Sequence, residues 1–332
     1  MKQRKSRFRA ALSVDTGGWL LASPRFHGEP AAKTTLRAEA FFKAFRAMGY
    51  DAVNVGEHEM VLPPKVLRRL AKHSKVQLVS ANIVDSKTEK PVFQPAILRP
   101  AAGMKVGFFG LITGAPQARG ELFAKRGLSV TDPILAAKAA VKVLRKNGAQ
   151  FIVCLSAMRK QEVELLGEKV KGIDIVLGST AMELTLQLSG LGKGYFADTY
   201  TKGKYNGELV LTPGADLQQW AAADMKASLR QQSSNLRSRV QEMGEQLKSA
   251  DKPGSPLTLT PQTRKVMQRE LVRMRAKLQR VGLALESNPQ APKGAGRLRL
   301  MMHPLNNEIV DDKVVLRHVA KYKKKYPAAP GH

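Results

Sequence analysis

Several polar residues follow short apolar runs, at the points where β-strands would end. Asp15 stands in the loop Asp15-Thr16-Gly17-Gly18, and Glu57, His58 and Glu59 follow the apolar run at residues 52–55. Open α/β sheets place their ligands at the carboxyl ends of strands, so chemistry is expected in these loops. Carboxylate oxygens suit a hard divalent cation, and Asp15, Glu57 and Glu59 are therefore candidate cation contacts.

Two later loops have the same position after an apolar run. Ser156-Ala157-Met158 ends one run, and Gly178-Ser179-Thr180-Ala181-Met182 ends another. The hydroxyl groups of Ser179 and Thr180 could contact an anion, whereas alanine and methionine offer nothing to a hard cation. The spacing supports no Ser-His-Asp or Cys-His arrangement, and the glycine-rich stretch at residues 190–194 lacks the following helix that would aim its amides at a phosphate.

The elements that must position these loops follow the pattern of an α/β domain up to about residue 214. Short runs rich in Val, Ile and Phe alternate with amphipathic stretches of helical period. One helix is predicted over residues 34–48, ending at Gly49, and another over residues 133–146, opened by Asp132 and ended by Gly148. The predicted strands are residues 52–55, 76–81, 106–112, 151–155, 173–177 and 207–211.

From residue 216 the sequence indicates helices only. Apolar residues recur in steps of three and four, which predicts two long helices folded back as an antiparallel coiled hairpin over residues 215–290. A breaker rich in proline at residues 251–261 separates the helices, and residues 291–332 are predicted to be a basic segment with an amphipathic helix at 311–325. The predicted seams are Leu236, Val240, Met243 and Leu247 on one helix, and Met267, Leu271, Met274, Leu278, Val281 and Leu285 on the other.

Four segments together resemble the calcineurin-like metallophosphoesterases, in the branch of the bacterial 5'-nucleotidases. They are Tyr50-Asp51-Ala52 leading into Gly56-Glu57-His58-Glu59, then Ser80-Ala81-Asn82-Ile83, Ile173-Asp174-Ile175-Val176-Leu177-Gly178, and Lys202-Gly203-Lys204-Tyr205-Asn206-Gly207. The resemblance covers residues 10–212. It implies an α/β/β/α sandwich over residues 1–214, with the family's first strand missing from this sequence, followed by the helical hairpin.

The resemblance also implies a reaction centre of two divalent metals, which polarise a phosphoryl group and generate hydroxide. The family's opening Asp-x-His is missing here. At the position of the family's metal-bridging aspartate this sequence has Gly18, and at the position of the asparagine ligand it has Glu57. Ala157 stands at the Ser-His position, and Thr180 and Met182 stand where the family has its last two histidines. His58 matches the histidine that contacts the phosphoryl oxygen. Two neighbouring dications need several carboxylates and imidazoles, so no metal is expected here.

Three functions remain open on this reasoning. The favoured one is a catalytically degenerate protein that acts in binding or assembly, with a protein partner recruited by the hairpin or the basic tail. The alternative is a residual metal-dependent phosphoester hydrolase that uses Glu57, His58 and one divalent metal. A third is charge-driven polyanion binding. In the favoured case His58 bonds the backbone, and Glu57 and Glu59 satisfy amides of the turn.

The composition of the chain limits which binding partners and locations are expected. The 332 residues include 55 Lys+Arg against 27 Asp+Glu, a net charge of +28, spread along the chain without interleaved aromatic residues. This favours a basic surface without a dedicated nucleic-acid site. The single cysteine cannot form an internal disulfide. No apolar run reaches the roughly 20 residues needed to span a bilayer. The sequence as written predicts no export signal, whereas the resemblance implies a periplasmic or envelope location.

Overall fold

The computed structural model describes residues 6–21, 31–114, 120–178, 184–199, 203–250, 259–286, 290–306 and 309–326. The chain divides into two units. The first comprises residues 1–185, 191–208 and 302–332, and the second comprises residues 186–190 and 209–301.

The strands are β1 (Val14–Asp15), β2 (Ala52–Asn54), β3 (Leu78–Val79), β4 (Ile83–Asp85), β5 (Ala96–Ala101), β6 (Met104–Ile112), β7 (Leu128–Val130), β8 (Phe151–Ala157), β9 (Ile175–Gly178), β10 (Ser189–Leu191), β11 (Gly194–Asp198), β12 (Tyr205–Thr212), β13 (Asp216–Ala222) and β14 (Ala295–Pro304). The helices are α1 (Ala31–Met48), α2 (Pro64–Ser74), α3 (Gly120–Lys125), α4 (Pro133–Lys146), α5 (Lys160–Lys169), α6 (Met225–Ser249), α7 (Pro261–Glu286) and α8 (Lys313–Lys325).

A small parallel sheet of order β1–β2–β3 forms one side of the first unit. Helices α1 and α2 pack on it, because their apolar stripes join the same buried cluster. Phe42 and Phe45 of α1 and Leu67 of α2 lie in this cluster with Val53 of β2. Asp15 is paired with Val53, so the carboxyl ends of β1 and β2 lie side by side.

A six-stranded sheet of order β10–β11–β9–β8–β6–β5 forms the other layer. Strands β6, β8, β9 and β11 are mutually parallel, and β5 pairs antiparallel with β6. Helices α4 and α5 cover it through a second buried cluster that includes Val141, Leu166 and Ile152. Strand β2 contacts both β6 and β8, so the two sheets face each other between the two pairs of helices. The predicted α/β/β/α sandwich is confirmed.

The predicted elements before residue 214 agree with the structure within a few residues. Helix α4 has the predicted bounds because Asp132 accepts hydrogen bonds from the amides of Ile134 and Leu135. Helix α2 was not predicted, although Pro63 and Pro64 mark its start and Lys75 ends it in the left-handed conformation. Proline at a helix start is favourable, since the first amide lacks an intrahelical acceptor.

The expectation of helices alone after residue 216 is wrong. Residues Asp216–Ala222 form β13, and Ala295–Pro304 form β14, which pair in parallel within the second unit. Strand β14 also stands between β12 and β13 in the order of a three-stranded sheet. Trp220 packs closely over Gly296, where a side chain would collide with the indole ring. This pairing is non-local, so the sequence around either strand alone gave little sign of it.

Helices α6 and α7 of the second unit pack together through part of the predicted seams. Leu247, Leu271 and Met274 are buried in one cluster with the half-buried Val240 and Met267. Leu278, predicted to be buried, is only half-buried. Residues 251–258 of the breaker lie outside the described residues, and the heptad supercoil stays a prediction.

None of the helices in the described ranges is both long and apolar enough to cross a membrane.

Candidate functional site

The loops after β1, β2 and β8 converge at Gly56. A Cβ atom placed on Gly56 would lie 3.0 Å from Glu59 Oε2, 3.0 Å from the Gly18 amide nitrogen and 3.5 Å from the Ala157 Cβ. Three loops from three separate parts of the sequence therefore meet without room for a side chain at Gly56. This is the edge of the sheets where the sequence places chemistry.

Glu59 joins the loop after β1 to the loop after β2. Its side chain is 0% exposed. Its Oε2 accepts hydrogen bonds from the amides of Gly56 (2.7 Å) and Gly18 (3.0 Å), and its Oε1 accepts one from the amide of Leu20 (2.9 Å). Glu59 belongs to a single 3₁₀ turn, His58–Val61, that directly follows the β2 loop. Both carboxylate oxygens are thus used to hold backbone.

Burial raises the pKa of the Glu59 carboxyl group above its ordinary value. The three amide donors and the neighbouring His58 act in the opposite direction, because each favours the ionised form. A carboxylate with three N–H donors is well supplied with partners even though it is removed from water. Its geometry suits a structural brace.

The imidazole of His58 is held from one side. Its Nδ1 lies 2.7 Å from the carbonyl oxygen of Leu21. A carbonyl oxygen only accepts, so Nδ1 carries the proton and donates it. His58 also stands near Gly18, since a Cβ on that glycine would lie 3.9 Å from Nδ1. The ring therefore borders Gly18, the residue that the resemblance matches to a metal-bridging aspartate.

Asp15 closes the same site from the end of β1. Its Oδ1 accepts a hydrogen bond from the amide of Gly17 at 2.8 Å. Burial raises the pKa of Asp15 to about 7, the Gly17 amide lowers it, and the charge of Glu59 raises it further. Two carboxyl groups that interact oppose each other's ionisation, so the charge of Glu59 disfavours the ionised form of Asp15.

Gly18 and Ala157, which the resemblance matches to metal ligands, stand in tight backbone and in apolar packing. Gly18 has a φ of 79°, a conformation that glycine adopts without strain and aspartate rarely does. Ala157, the last residue of β8, is 9% exposed and joins the buried cluster around α1 and α2. Glu57 is half-buried at the start of the 3₁₀ turn. Ser179, Thr180 and Met182 lie outside the described residues.

Two buried asparagines support the site and were not singled out by the sequence reasoning. Asn54, 0% exposed, donates from Nδ2 to the carbonyl oxygens of Thr16 and Leu111. Asn82, also 0% exposed, donates to the Ile112 carbonyl and accepts from the Ile112 amide. Each follows a buried run of the kind that ends a strand, which was the available signal. They brace the loops from beneath.

The described residues do not fit a pair of divalent metals. The oxygens of Glu59 accept amide hydrogens, Nδ1 of His58 donates to a carbonyl, and Gly18 and Ala157 provide no donor atom. Two adjacent dications need several anionic or imidazole ligands to offset their repulsion. The arrangement can hold the loops after β1 and β2 in place, with Asp15, His58 and Glu57 on these loops.

No family model matches this chain. Among curated proteins, it is 34% identical over 116 residues to protein UshA of Yersinia enterocolitica, covering 35% of this chain and 21% of that protein. It is 31% identical over 140 residues to a 5'-nucleotidase of Vibrio cholerae, covering 42% of this chain and 25% of that protein. The chain thus spans about a quarter of the length of these relatives or less.

Two solved structures are similar to this chain in fold. A sulfate thiohydrolase SoxB of Thermus thermophilus aligns with a TM-score of 0.56 at 23% identity, over 63% of this chain and 38% of that one. The calcineurin-like phosphoesterase YfkN of Bacillus subtilis aligns with a TM-score of 0.54 at 17% identity, over 63% of this chain and 73% of that one. The chain has the calcineurin-like phosphoesterase fold, and part of its sequence is similar to 5'-nucleotidases.

Proposed function

We propose that this chain is a catalytically degenerate metallophosphoesterase-fold protein that acts in binding or assembly. One observation carries the proposal. Glu59, which stands in the loop that supplies a metal ligand in the family pattern, has both side-chain oxygens bound to backbone amides. The loops are held by hydrogen bonds in the place where metals would otherwise draw them together.

The replaced positions support the same proposal. Recovering a metal pair would need aspartate at Gly18, where φ is 79°, and a histidine at Ala157, which is packed among apolar side chains. Either change strains the backbone or overfills the core. The local structure therefore fits the present residues better than the family's ligands.

The binding role is proposed for the helices of the second unit or for the basic tail. On α7, Val272 is 66% exposed and Leu283 is 58% exposed. They are eleven residues apart, close to three full turns, so they lie on one face of the helix. These two exposed apolar side chains are available for contact with another protein.

A metal-dependent phosphoester hydrolase is the second candidate. The relatives favour it, since one of them is named a 5'-nucleotidase. Among the described residues, the groups on these loops that could take part in such a reaction are His58 and the carboxyl groups of Asp15 and Glu57. Hydrolysis would then have to proceed with fewer metal ligands than the family pattern provides.

Phosphoester hydrolysis with added metal separates the two candidates. Purified protein is supplied with Mn²⁺ or Zn²⁺ and with a 5'-nucleotide, a 3'-nucleotide or a 2',3'-cyclic nucleotide, and phosphate release is measured. His58→Ala tests the site, and His73→Ala, which changes an exposed histidine of α2, is the matched control. We expect the same background rate from all three proteins. A metal-dependent rate that His58→Ala abolishes and His73→Ala retains would establish the hydrolase instead.

A further inference from the structure

The positive charge that is spread along the sequence is gathered by the fold onto one face of the first unit. Three helices contribute to it: α8, α1 and α2. Helix α1 contacts both of the others. Together they carry fourteen lysine and arginine side chains against one carboxylate, Glu39. This is nearly half of the net charge of +28. The cations are Lys33, Arg37, Lys43 and Arg46 of α1, Lys65, Arg68, Arg69 and Lys72 of α2, and Lys313, Arg317, Lys321, Lys323, Lys324 and Lys325 of α8.

The three helices lie side by side with α1 in the middle. Arg37 Nε donates to the hydroxyl oxygen of Tyr322 on α8 at 3.0 Å, and Arg46 Nη1 lies 3.4 Å from the carbonyl oxygen of His73 on α2. Arg37 and Arg46 are nine residues apart, which is half a turn beyond two full turns of an α-helix. They therefore point to opposite sides of α1.

The apolar sides of α1 and α2 face inward. Phe42 and Phe45 of α1 and Leu67 and Leu70 of α2 are buried. On α8, Tyr322 is half-buried, with its ring centroid 5.6 Å from the guanidinium carbon of Arg37. Its ring is tilted by 44° against that of Tyr326, and Val314 and Leu316 are exposed at the two edges of the helix. An interfacial membrane helix would present its apolar side outward to lipid. This face presents cations outward instead.

The outward cations follow a regular spacing on α8. Lys313, Arg317, Lys321 and Lys324 are exposed and stand four, four and three residues apart, so they form one stripe. On α2, Arg68 and Lys72 are exposed with the same spacing of four. Neighbouring packed helices are about 8–10 Å apart, so charges on adjacent helices interact at moderate salt. Like charges so placed repel each other, and an anion with many phosphates would relieve that repulsion.

We propose that this face, formed by the exposed cations of α8, α1 and α2, binds the phosphate backbone of double-stranded nucleic acid without reading its sequence. Phosphate contacts by lysine and arginine give affinity without base recognition. Binding should therefore depend steeply on salt, because each phosphate contact releases bound counterions. The proposal does not depend on whether the phosphoesterase site is active.

The test compares two variants that remove the same number of charges. The face variant is Arg68→Gln, Lys72→Gln, Lys321→Gln and Lys324→Gln. The control variant is Lys138→Gln, Lys142→Gln, Lys146→Gln and Lys169→Gln, which changes four exposed lysines of α4 and α5. Fluorescence anisotropy measures binding to two duplex DNAs of unrelated sequence at two salt concentrations. All eight side chains are exposed, so neither variant should be less stable than the wild type.

We expect the wild type to bind both duplexes equally and to lose affinity steeply from about 50 to 200 mM salt. The face variant should bind at least tenfold more weakly at low salt, with a salt slope flatter by about three to four. The control variant should remain within about threefold of wild type, since it lacks only long-range attraction. The double variant Arg68→Gln, Lys72→Gln should be intermediate.

Three results would overturn the proposal. One is equal weakening by the face and control variants, which would mean that only total charge matters. Another is a preference for one duplex sequence. The last is binding to vesicles of phosphatidylglycerol and phosphatidylcholine with none to DNA, which would assign the face to an anionic membrane.

Discussion

At the scale of single residues, Glu59 does the most to define the site. Three backbone amides, from Gly18, Leu20 and Gly56, depend on its two oxygens. Glu59→Ala would leave these buried donors without an acceptor, and each such loss costs about 1–3 kcal/mol. We expect the free energy of unfolding to fall by about 3 kcal/mol or more, measured by urea denaturation. Glu121→Ala, at a glutamate whose side chain is 91% exposed, should change it by less than about 0.5 kcal/mol. Similar losses for both variants would show that Glu59 is not a brace.

Asp15 makes the stability of the protein depend on pH. Its pKa of about 7 in the folded chain exceeds its ordinary value of 3.8, so the folded state holds the proton more tightly. The stability that protonated Asp15 adds to the folded protein is therefore fully present below about pH 4 and is lost as the pH rises to 7. Asp15→Asn keeps an oxygen for the Gly17 amide and cannot ionise. Relative to wild type, the free energy of unfolding of this variant should rise by on the order of 2 kcal/mol between pH 4.5 and pH 8.

Urea denaturation at the two pH values checks this prediction. Asp85→Asn is the control, because hydrogen bonds from Thr88 and Lys87 lower the pKa of Asp85, which places its titration below that range. Its effect should be nearly the same at both pH values. An Asp15→Asn variant with a pH profile parallel to the wild type would contradict the assigned role of Asp15.

At the scale of elements, the packing of α6 against α7 rests on a few buried residues. Leu271, 8% exposed, lies in the cluster between the two helices, and Leu271→Ala should cost about 2–5 kcal/mol of unfolding free energy. Val272→Ala, at the next residue and 66% exposed, is the control and should cost less than about 0.5 kcal/mol. Chemical denaturation measures both. Equal effects would mean that this cluster does not hold the helices together.

The sequence predicted local elements better than non-local ones. Helix α4 could be bounded by Asp132 and Gly148 because capping is decided within a few residues. Strands β13 and β14 could not be found, since each is stabilised by a partner about eighty residues away. In the site, the motif around Gly56 predicted which loops meet. It did not predict that Glu59 binds the loop after β1 or that Asn54 supports that loop, because hydrogen bonds between distant segments leave no local pattern.

At the scale of the whole molecule, the distribution of charge is decided by the fold. The sequence spreads a net charge of +28 along 332 residues, and the packing of α8, α1 and α2 concentrates nearly half of it. Salt should screen this repulsion and raise the melting temperature by a few degrees, since about 1 kcal/mol shifts it by about 2–4 °C in a protein of this size. Calorimetry at about 50 and 500 mM NaCl tests this. The face variant should show a smaller rise than the control variant, and equal rises would count against a concentrated face.

The central claim is that the loops are held by Glu59 rather than by metals, and metal content tests it most directly. The wild-type protein and the Glu59→Ala variant are produced with added manganese and zinc and purified without chelator. The metal content of both proteins is then measured by elemental analysis. We predict well below one divalent ion per chain in the wild type. A content near two ions per chain, lost in Asp15→Asn or His58→Ala but unaffected by His73→Ala, would contradict the claim and restore a dinuclear phosphoesterase centre.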